Sequence, residues 1–296
     1  MAAVPTVRQR QLAAELRRLR EELGPTADEI ATRLDWSPSK LSRIETARIG
    51  VRVSDVRLLL ELYQVDEMHM GEVLALAQAA TKQGWWAAHQ HGLSERFAAF
   101  IALEDEASAA LSYATYSVPG LLQTKEYAHC TMETSRVITT DTPREVARRV
   151  DIRMRRQQLL RKPGPLEFSA VVDESVLLRL VGGREIMWRQ MQRLMELAQL
   201  PNVDIRILPL DVHREPVMGE SFTLLKFASV RDIPFPDIAY IDNFSMAAAE
   251  FQDDGITDMY GRAWEVLQSV CPSAEESVRR ISSIAHERWQ GQEGRA

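Results

Sequence analysis

One short segment carries polar and basic side chains at the spacing of a single helical face. Ser39, Ser42, Arg43 and Thr46 recur three or four residues apart, with Lys40 beside them, and this spacing aligns side chains on an α-helix. Hydroxyl and cationic groups are the donors that proteins present to phosphate oxygens and to base edges. The segment is therefore suited to contact with a nucleic acid, and Arg43 is the best candidate for a bidentate contact to guanine.

Lys40 breaks a local rule of helix formation. It would occupy the third helical position, where the macrodipole disfavours a cation by about 0.3–1 kcal/mol. Nothing in the local folding pattern asks for lysine there, so we interpret Lys40 as a contact to a phosphate or a base edge. The alternative is a well-capped helical hairpin with a solvated face.

Two short helices and a tight turn are predicted to hold this face. Thr26 and Glu29 have the spacing of a capping box, which marks the start of the first helix. After the turn, Ser37 is the predicted N-cap of the second helix and Pro38 its first residue. Two helices joined by a short turn, the second with a basic outer face, are typical of a helix-turn-helix motif.

In such a motif the second helix enters the major groove of double-stranded DNA, while the first crosses the phosphate backbone. We expect the amides at the helix start capped by Thr26, together with Arg18 and Arg48, to hold that backbone. The predicted DNA-binding residues are Arg18, Thr26, Ser37, Ser39, Lys40, Ser42, Arg43, Thr46 and Arg48.

The charge distribution separates a basic beginning from an acidic remainder. The net charge is −6, which by itself argues against binding nucleic acid. Residues 1–57 nevertheless contain eleven Arg and Lys against eight Asp and Glu, a net charge of +3, so the remainder carries −9. A basic module on an acidic body predicts a DNA-binding surface confined to one face, with weak nonspecific binding.

Composition indicates a cytoplasmic protein without membrane spans. No apolar run approaches the roughly 18 residues that a membrane helix needs, and the first residues lack the apolar region of a secretory signal. Cys130 and Cys271 are too few for a disulfide framework and lack metal-ligand spacing, so they are interpreted as reduced thiols.

The chain is long enough for two domains. Residues 1–82 are predicted to form an all-α domain of five helices, the fourth capped by Ser54, with a boundary near residues 80–90. Residues 83–296 are predicted to form a larger α+β domain. Its predicted strands are 111–118, 166–172, 203–208, 221–228 and 237–242, and its predicted helices are 94–110, 142–161, 184–199, 256–270 and 273–290.

Other candidate sites favour structural interpretations. His89 and His91 lack a third metal ligand at helical spacing. Asp173-Glu174 fits a helix N-cap better than an acid–base pair. Gly182-Gly183 lacks a phosphate-binding signature and is interpreted as a turn. Asp253-Asp254-Gly255 is also predicted to be a turn. We therefore expect no enzymatic activity, no cofactor and no metal.

Two further segments leave alternatives open. Leu121, Leu122 and Gln123, in the stretch PGLLQT, could plug the core or contact a partner. The basic segment 143–162 could be a second surface for an anionic partner, or a salt-bridged face.

Taken together, these motifs resemble those of a known group. The chain resembles the actinobacterial Xre-like helix-turn-helix regulators that carry a C-terminal Scr1 antitoxin-like (WhiJ-like) domain of unknown function. The marks are Trp36–Thr46, Tyr116–Ala128, Val172–Glu174, Val181–Gly183, Pro201–Pro209 and Phe222–Phe227. Asp35 departs from the glycine usual in such turns, although Asp tolerates the left-handed conformation.

The resemblance implies a DNA-binding regulator with its recognition helix at Pro38–Ala47, often paired with a small protein encoded by a neighbouring gene. Such regulators usually act as homodimers that read two half-sites. Our leading hypothesis is a sequence-specific transcriptional regulator whose C-terminal domain senses a signal or binds a partner. The alternative is an antitoxin-like interaction protein that binds a small protein partner and autoregulates through DNA.

Overall fold

The computed structural model describes residues 5–81, 84–86, 94–212, 220–229, 233, 235–241, 249–251 and 254–290. The chain divides into two units. The first contains residues 1–106 and 227–235, and the second contains residues 107–226 and 236–296. The boundary predicted between residues 82 and 83 falls on residues outside the described part and stays a prediction.

Among the described residues, the first unit contains the five predicted helices and a sixth, at Glu95–Glu106, which the sequence analysis assigned to the second domain. They are α1 (Val7–Leu23), α2 (Ala27–Arg33), α3 (Pro38–Glu45), α4 (Val53–Leu62), α5 (Glu67–Ala80) and α6 (Glu95–Glu106). Apolar side chains from α1 to α5 meet in one buried cluster, which includes Leu16, Ile30, Leu41, Leu59 and Val73. Burial of these faces holds helices that would be marginal alone, since α2 and α3 are only seven and eight residues long.

Local chemistry sets the boundaries of α2 and α3. The Thr26 hydroxyl accepts from the Glu29 amide, and the Glu29 carboxylate accepts from the Thr26 amide, which confirms the capping box. Asp35 takes a left-handed conformation with φ 53°, so it serves in place of glycine in the turn. Pro38 begins α3 as predicted.

The predicted N-cap of α3 is confirmed in position but lacks a side-chain bond, and the predicted N-cap of α4 is wrong. The Ser37 backbone has N-cap geometry, but its side chain makes no capping bond; its Oγ lies 3.2 Å from the Oγ of Ser39. For α4 the N-cap is Arg52, not the Ser54 that the sequence pattern suggested. A hydroxyl side chain at the start of a helix can cap a backbone amide or bond to another group nearby, and sequence spacing does not show which bond forms.

The described residues of the second unit form a six-stranded mixed sheet in the order β3-β2-β1-β4-β5-β6. The strands are β1 (Ala109–Ala114), β2 (Glu167–Asp173), β3 (Val203–Leu208), β4 (Phe222–Lys226), β5 (Ile238–Ile241) and β6 (Ala249–Phe251). β1, β2 and β3 run parallel, whereas β4, β5 and β6 continue the sheet antiparallel. The predicted α+β class is confirmed, although β6 was not predicted and β1 begins and ends earlier than the predicted strand.

The helices of this unit are α7 (Lys125–Thr139), α8 (Pro143–Arg156), α9 (Glu174–Leu178), α10 (Arg184–Leu197), α11 (Asp254–Val270) and α12 (Ala274–Ile284). Tyr260, Trp264 and Leu267 of α11 pack in one cluster with residues of β1, β2, β4 and β5. α12 protects the edge strand β3, because the Ile207 amide donates to the Ser277 hydroxyl at 3.1 Å.

Two sequence interpretations need correction here. α7 and α9 were not predicted, and the predicted turn at Asp254-Gly255 is the beginning of α11, while Asp253 lies outside the described residues.

Within the part of the chain that the structure describes, no helix is long and apolar enough to cross a membrane.

Candidate nucleic-acid interface

Helix α3 has one buried face and one exposed face. Leu41, Ile44 and Glu45 are buried against the first unit. The exposed side chains are Ser39, Ser42, Arg43 and Thr46, the same polar set that the sequence spacing aligned. A helix of this kind presents hydroxyl and guanidinium donors to solvent while its apolar side fixes its position.

An ion pair between α1 and α3 supports this orientation. Arg20 Nε lies 2.7 Å from Glu45 Oε1, and Arg20 Nη2 lies 2.9 Å from Glu45 Oε2. Arg20 also donates to the carbonyl of Pro25 at 3.2 Å, just before α2. The hydrogen bond to Glu45 outweighs burial and raises the pKa of Arg20. One guanidinium therefore ties α1, the start of the motif and the end of α3 together.

Lys40 is engaged within the protein. Its Nζ lies 3.0 Å from Asp55 Oδ2 on α4 and 3.6 Å from the centroid of the Trp36 ring. The premise that local folding gives this lysine no role is therefore wrong, because the ion pair and the cation–π contact depend on residues in the turn and on the next helix. A DNA contact by Lys40 stays an untested prediction.

The exposed side chains of α3 differ in the hydrogen bonds that they already make within the protein. Arg43 Nε donates to the carbonyl of Ser39 at 3.0 Å, and no carboxylate of the described residues pairs with its guanidinium. Thr46 Oγ1 donates to the carbonyl of Ser42 at 2.7 Å. Both bonds run back along the helix and leave the outer face of the side chain accessible.

Arg18 and Thr26 are less available than the sequence suggested. Arg18 Nη2 lies 2.7 Å from Glu15 Oε1, and its Nη1 pairs with Glu22. Thr26 and Glu29 occupy each other's amides in the capping box. Both residues would have to exchange existing partners for a phosphate.

A group of exposed arginines, by contrast, lacks such partners. In the described part of the chain, no carboxylate lies within ion-pair distance of Arg33, Arg43, Arg48, Arg52 or Arg57. They run from the end of α2 through α3 to α4, and we refer to them as the unpaired arginines. Sequence reasoning missed Arg33, Arg52 and Arg57, because net charge shows an excess of cations without showing which ones are neutralised.

The second unit corrects the predicted partner site. Leu121, Leu122 and Gln123 are all buried, so they plug the core and do not form an exposed partner surface. Gln123 accepts from Arg153 and donates to the carbonyl of Val118, and Gln190 donates to the carbonyl of Leu122. The sequence left both alternatives open because the side chains that bond to this loop come from helices distant in the chain.

A different group in the second unit is exposed. Tyr116 follows β1, and Arg179 and Leu180 follow α9 at the end of β2. The Arg179 guanidinium carbon lies 5.0 Å from the Tyr116 ring centroid, and Tyr116 and Leu180 are each 60% exposed. We refer to Tyr116, Arg179 and Leu180 as the strand-end patch.

The remaining candidates have structural roles where they can be placed. Asp173 Oδ1 accepts from the Ser175 amide as a cap, and the Glu174 carboxylate pairs with Arg280 at 2.7 Å. Gly182 and Gly183 have positive φ, as a turn requires. In the basic helix α8, Arg149 pairs with Asp141, and Arg148, Arg153, Arg155 and Arg156 also have partners.

The histidine pair and the two cysteines were the remaining candidates from the sequence. His89 and His91 lie outside them, and among the residues that are described no group of three His, Cys, Asp or Glu could hold a metal ion. Cys130 and Cys271 are free thiols, and burial raises the pKa of both, that of Cys271 to about 11.

The helices and the polar face of α3 define a helix-turn-helix protein, and a helix-turn-helix domain family matches residues 11–73. This domain indicates a DNA-binding regulator. The chain belongs to the family defined by the domain of unknown function DUF5753, which matches residues 97–283. No curated protein and no solved structure is significantly similar to it. The predicted resemblance is thereby confirmed as far as a helix-turn-helix domain followed by a domain of unknown function.

Proposed function

We propose that the protein is a sequence-specific transcriptional regulator that reads double-stranded DNA with α3. The observation that carries the proposal is the distribution of cations in the first unit. Arg18 and Arg20 on α1 are neutralised by glutamates, whereas the unpaired arginines follow the chain from α2 to α4. Cations without carboxylate partners are the groups that gain most from meeting phosphate.

In this proposal the contacts divide into two classes. Arg43, Ser39 and Ser42 face base edges in the major groove, and Arg43 is suited to O6 and N7 of guanine. The other four unpaired arginines hold phosphates on either side and fix the register; they are Arg33, Arg48, Arg52 and Arg57. Thr46 contributes a hydroxyl near the end of the helix. No catalytic step is assigned to the chain.

The proposal extends to assembly and family. We propose a cytoplasmic homodimer that reads two half-sites about one helical turn apart. The first unit is Xre-like, and the second is related to the Scr1 antitoxin-like domains of actinobacterial WhiJ-like regulators. In this arrangement the second unit senses a signal and biases the DNA affinity of the first.

The deciding experiment is selection of DNA from a random pool by the full chain, followed by sequencing of the retained fragments. We expect one common motif, and we expect Arg43→Ala to lose the preference at one of its positions. If the wild-type chain retained fragments without a common motif, sequence-specific regulation would be the wrong function.

A second candidate is an antitoxin-like interaction protein whose second unit binds a small protein encoded by a neighbouring gene. The strand-end patch favours it, since exposed tyrosine and arginine side chains are typical of interface centres. Co-purification of the neighbouring gene product with the wild-type chain tests this candidate. We expect Tyr116→Ala to weaken the complex, whereas Leu122→Ala should act only through stability because Leu122 is buried.

A further inference from the structure

The environment of Lys40 differs from that of the unpaired arginines. Its side chain is 32% exposed and that of its partner Asp55 is 21% exposed, so both are partly withdrawn from solvent. The Lys40 ammonium meets the Asp55 carboxylate at 3.0 Å and lies over the face of Trp36 at 3.6 Å. Arg43, one turn later in the same helix, has no carboxylate partner in the described part of the chain.

The positions of the two charges explain why they are paired. Lys40 is in the first turn of α3, where the helix dipole disfavours a cation. Asp55 is in the first turn of α4, where the dipole favours an anion. The ion pair stabilises the unfavourably placed lysine and links the beginnings of α3 and α4. It also neutralises a carboxylate that lies among the unpaired arginines in sequence.

We propose that Lys40 is a positioning residue of the DNA-binding surface and not itself a contact to phosphate or base. Lys40 neutralises Asp55 and holds α3 against α4, so that the exposed face of α3 meets DNA without a repelling carboxylate beside it. Base reading is left to Arg43 and the serine hydroxyls of α3. This inference rests on the proposed DNA-binding function.

Neutralising both partners distinguishes this role from a direct contact. Lys40→Met keeps the aliphatic stem over Trp36 but leaves Asp55 unpaired. We expect about tenfold weaker binding to the selected DNA, the scale of one uncompensated like charge at a contact surface. Lys40→Met with Asp55→Asn removes both charges together. We expect this double variant to recover affinity to within about threefold of wild type.

The salt dependence of binding provides a second readout. A phosphate contact contributes a slope of about −0.9 to the dependence of log K on log salt concentration. If Lys40 only positions α3, the variant with Lys40→Met and Asp55→Asn should keep the wild-type slope of log K against log salt concentration. The calibration variant is Arg48→Met, which removes an expected phosphate contact and should make the slope about 0.9 less steep. The matched control is the exposed pair Arg279 and Glu275 on α12, neutralised in the same way, for which we expect no change.

The outcomes separate the two proposals. A double variant that binds as weakly as Lys40→Met, with the slope reduced like that of Arg48→Met, would show that Lys40 contacts DNA and would overturn the positioning role. If instead the wild-type chain selected no DNA motif, the proposed function itself would fail. Thermal unfolding of each variant shows that the binding assays are made on folded protein. A folded Lys40→Met variant that binds like wild type would also overturn the inference.

Discussion

The guanidinium group of Arg43 donates its Nε–H to the carbonyl of Ser39, one turn earlier in α3. This bond directs the side chain along the helix and leaves the Nη atoms free of carboxylates of the described residues. A planar guanidinium presented in this way offers the pair of donors that matches O6 and N7 of guanine.

Arg43→Ala is therefore expected to weaken binding to the selected DNA by about 1–3 kcal/mol and to relax specificity at one base pair. Titration against the selected site and against each single-base variant of it measures both effects. Uniform weakening across all the variants would instead identify Arg43 as a phosphate contact.

Arg18 and Arg48 are similar in sequence terms but differ in surroundings. Arg18 is bound by Glu15 and Glu22, and the hydrogen bond to Glu15 raises its pKa further. Arg48 is exposed and has no ion pair in the described part of the chain. An arginine already paired with two carboxylates gains little from a phosphate.

We expect Arg48→Ala to make the slope of log K against log salt about 0.9 less steep, the contribution of one phosphate contact. Arg18→Ala should leave that slope close to wild type. Binding isotherms at several salt concentrations provide the comparison. Equal changes for the two variants would show that Arg18 exchanges its glutamates for phosphate.

At the scale of elements, the pair of Arg20 and Glu45 holds α3 on α1. The Glu45 side chain is almost fully buried, and both of its carboxylate oxygens accept from Arg20. Removal of Glu45 would take away both of these bonds and leave the partly buried guanidinium of Arg20, among the described carboxylates, with only that of the exposed Glu21, at 3.5 Å.

Glu45→Ala is expected to destabilise the first unit by about 1.5–3 kcal/mol, the cost of losing hydrogen bonds to a charged group. Hydrogen-exchange protection of the amides of α1 and α3 measures the loss within this unit. The control is Glu22→Ala, since its exposed pair with Arg18 should be worth less than about 1 kcal/mol. Similar effects of the two variants would contradict the role assigned to Glu45.

A histidine links α5 to α1. His69 Nε2 lies 2.7 Å from Glu15 on α1, and His69 Nδ1 lies 3.1 Å from Glu72 on α5. Burial alone would lower the pKa of His69, but the hydrogen bonds to Glu15 and Glu72 raise it by more. The protonated imidazole is therefore the form that the folded state favours.

Because the pKa of His69 is raised in the folded state, its stabilising effect is fully present below its ordinary pKa of about 6.5. The effect is lost as the pH rises through the raised value. We expect exchange protection in α1 and α5, corrected for intrinsic exchange, to fall as the pH rises above about 6.5 and through the raised pKa of His69. His69→Gln should remove this dependence, while His129→Gln on the exposed side of α7 should retain it.

At the scale of the whole molecule, a basic module is joined to an acidic remainder. Residues 1–57 carry a net charge of +3 and the complete chain carries −6. Charge of this sign over most of the chain repels phosphate, so specific contacts have to supply the affinity. Dimerisation would double those contacts without making the chain more basic.

We expect the full chain to sediment as a dimer and to protect two half-sites about 10–10.5 base pairs apart, centre to centre. Sedimentation equilibrium and footprinting on the selected DNA test the two statements separately. A monomer that protects a single half-site would contradict both.

Much of the first unit could be predicted because its signals are local. Thr26 with Glu29 defines the start of α2, Pro38 begins α3, and the left-handed Asp35 forms the turn between them. The exposed face of α3 likewise follows from helical spacing. In the second unit, β2, β3, β4 and β5 were recognisable as apolar runs, whereas the three-residue β6 was too short to give a pattern.

The sequence by itself determined the class of each unit, the position of α3 and the side chains on its outer face, because helix periodicity and capping depend on near neighbours. The tertiary structure alone decided which charges are free, because partners such as Lys40 with Asp55 and Arg20 with Glu45 come from different helices. It also decided that Leu121 and Leu122 are buried, and that the strands follow the order β3-β2-β1-β4-β5-β6. These properties depend on contacts between residues far apart in the chain, which periodicity and local spacing do not encode.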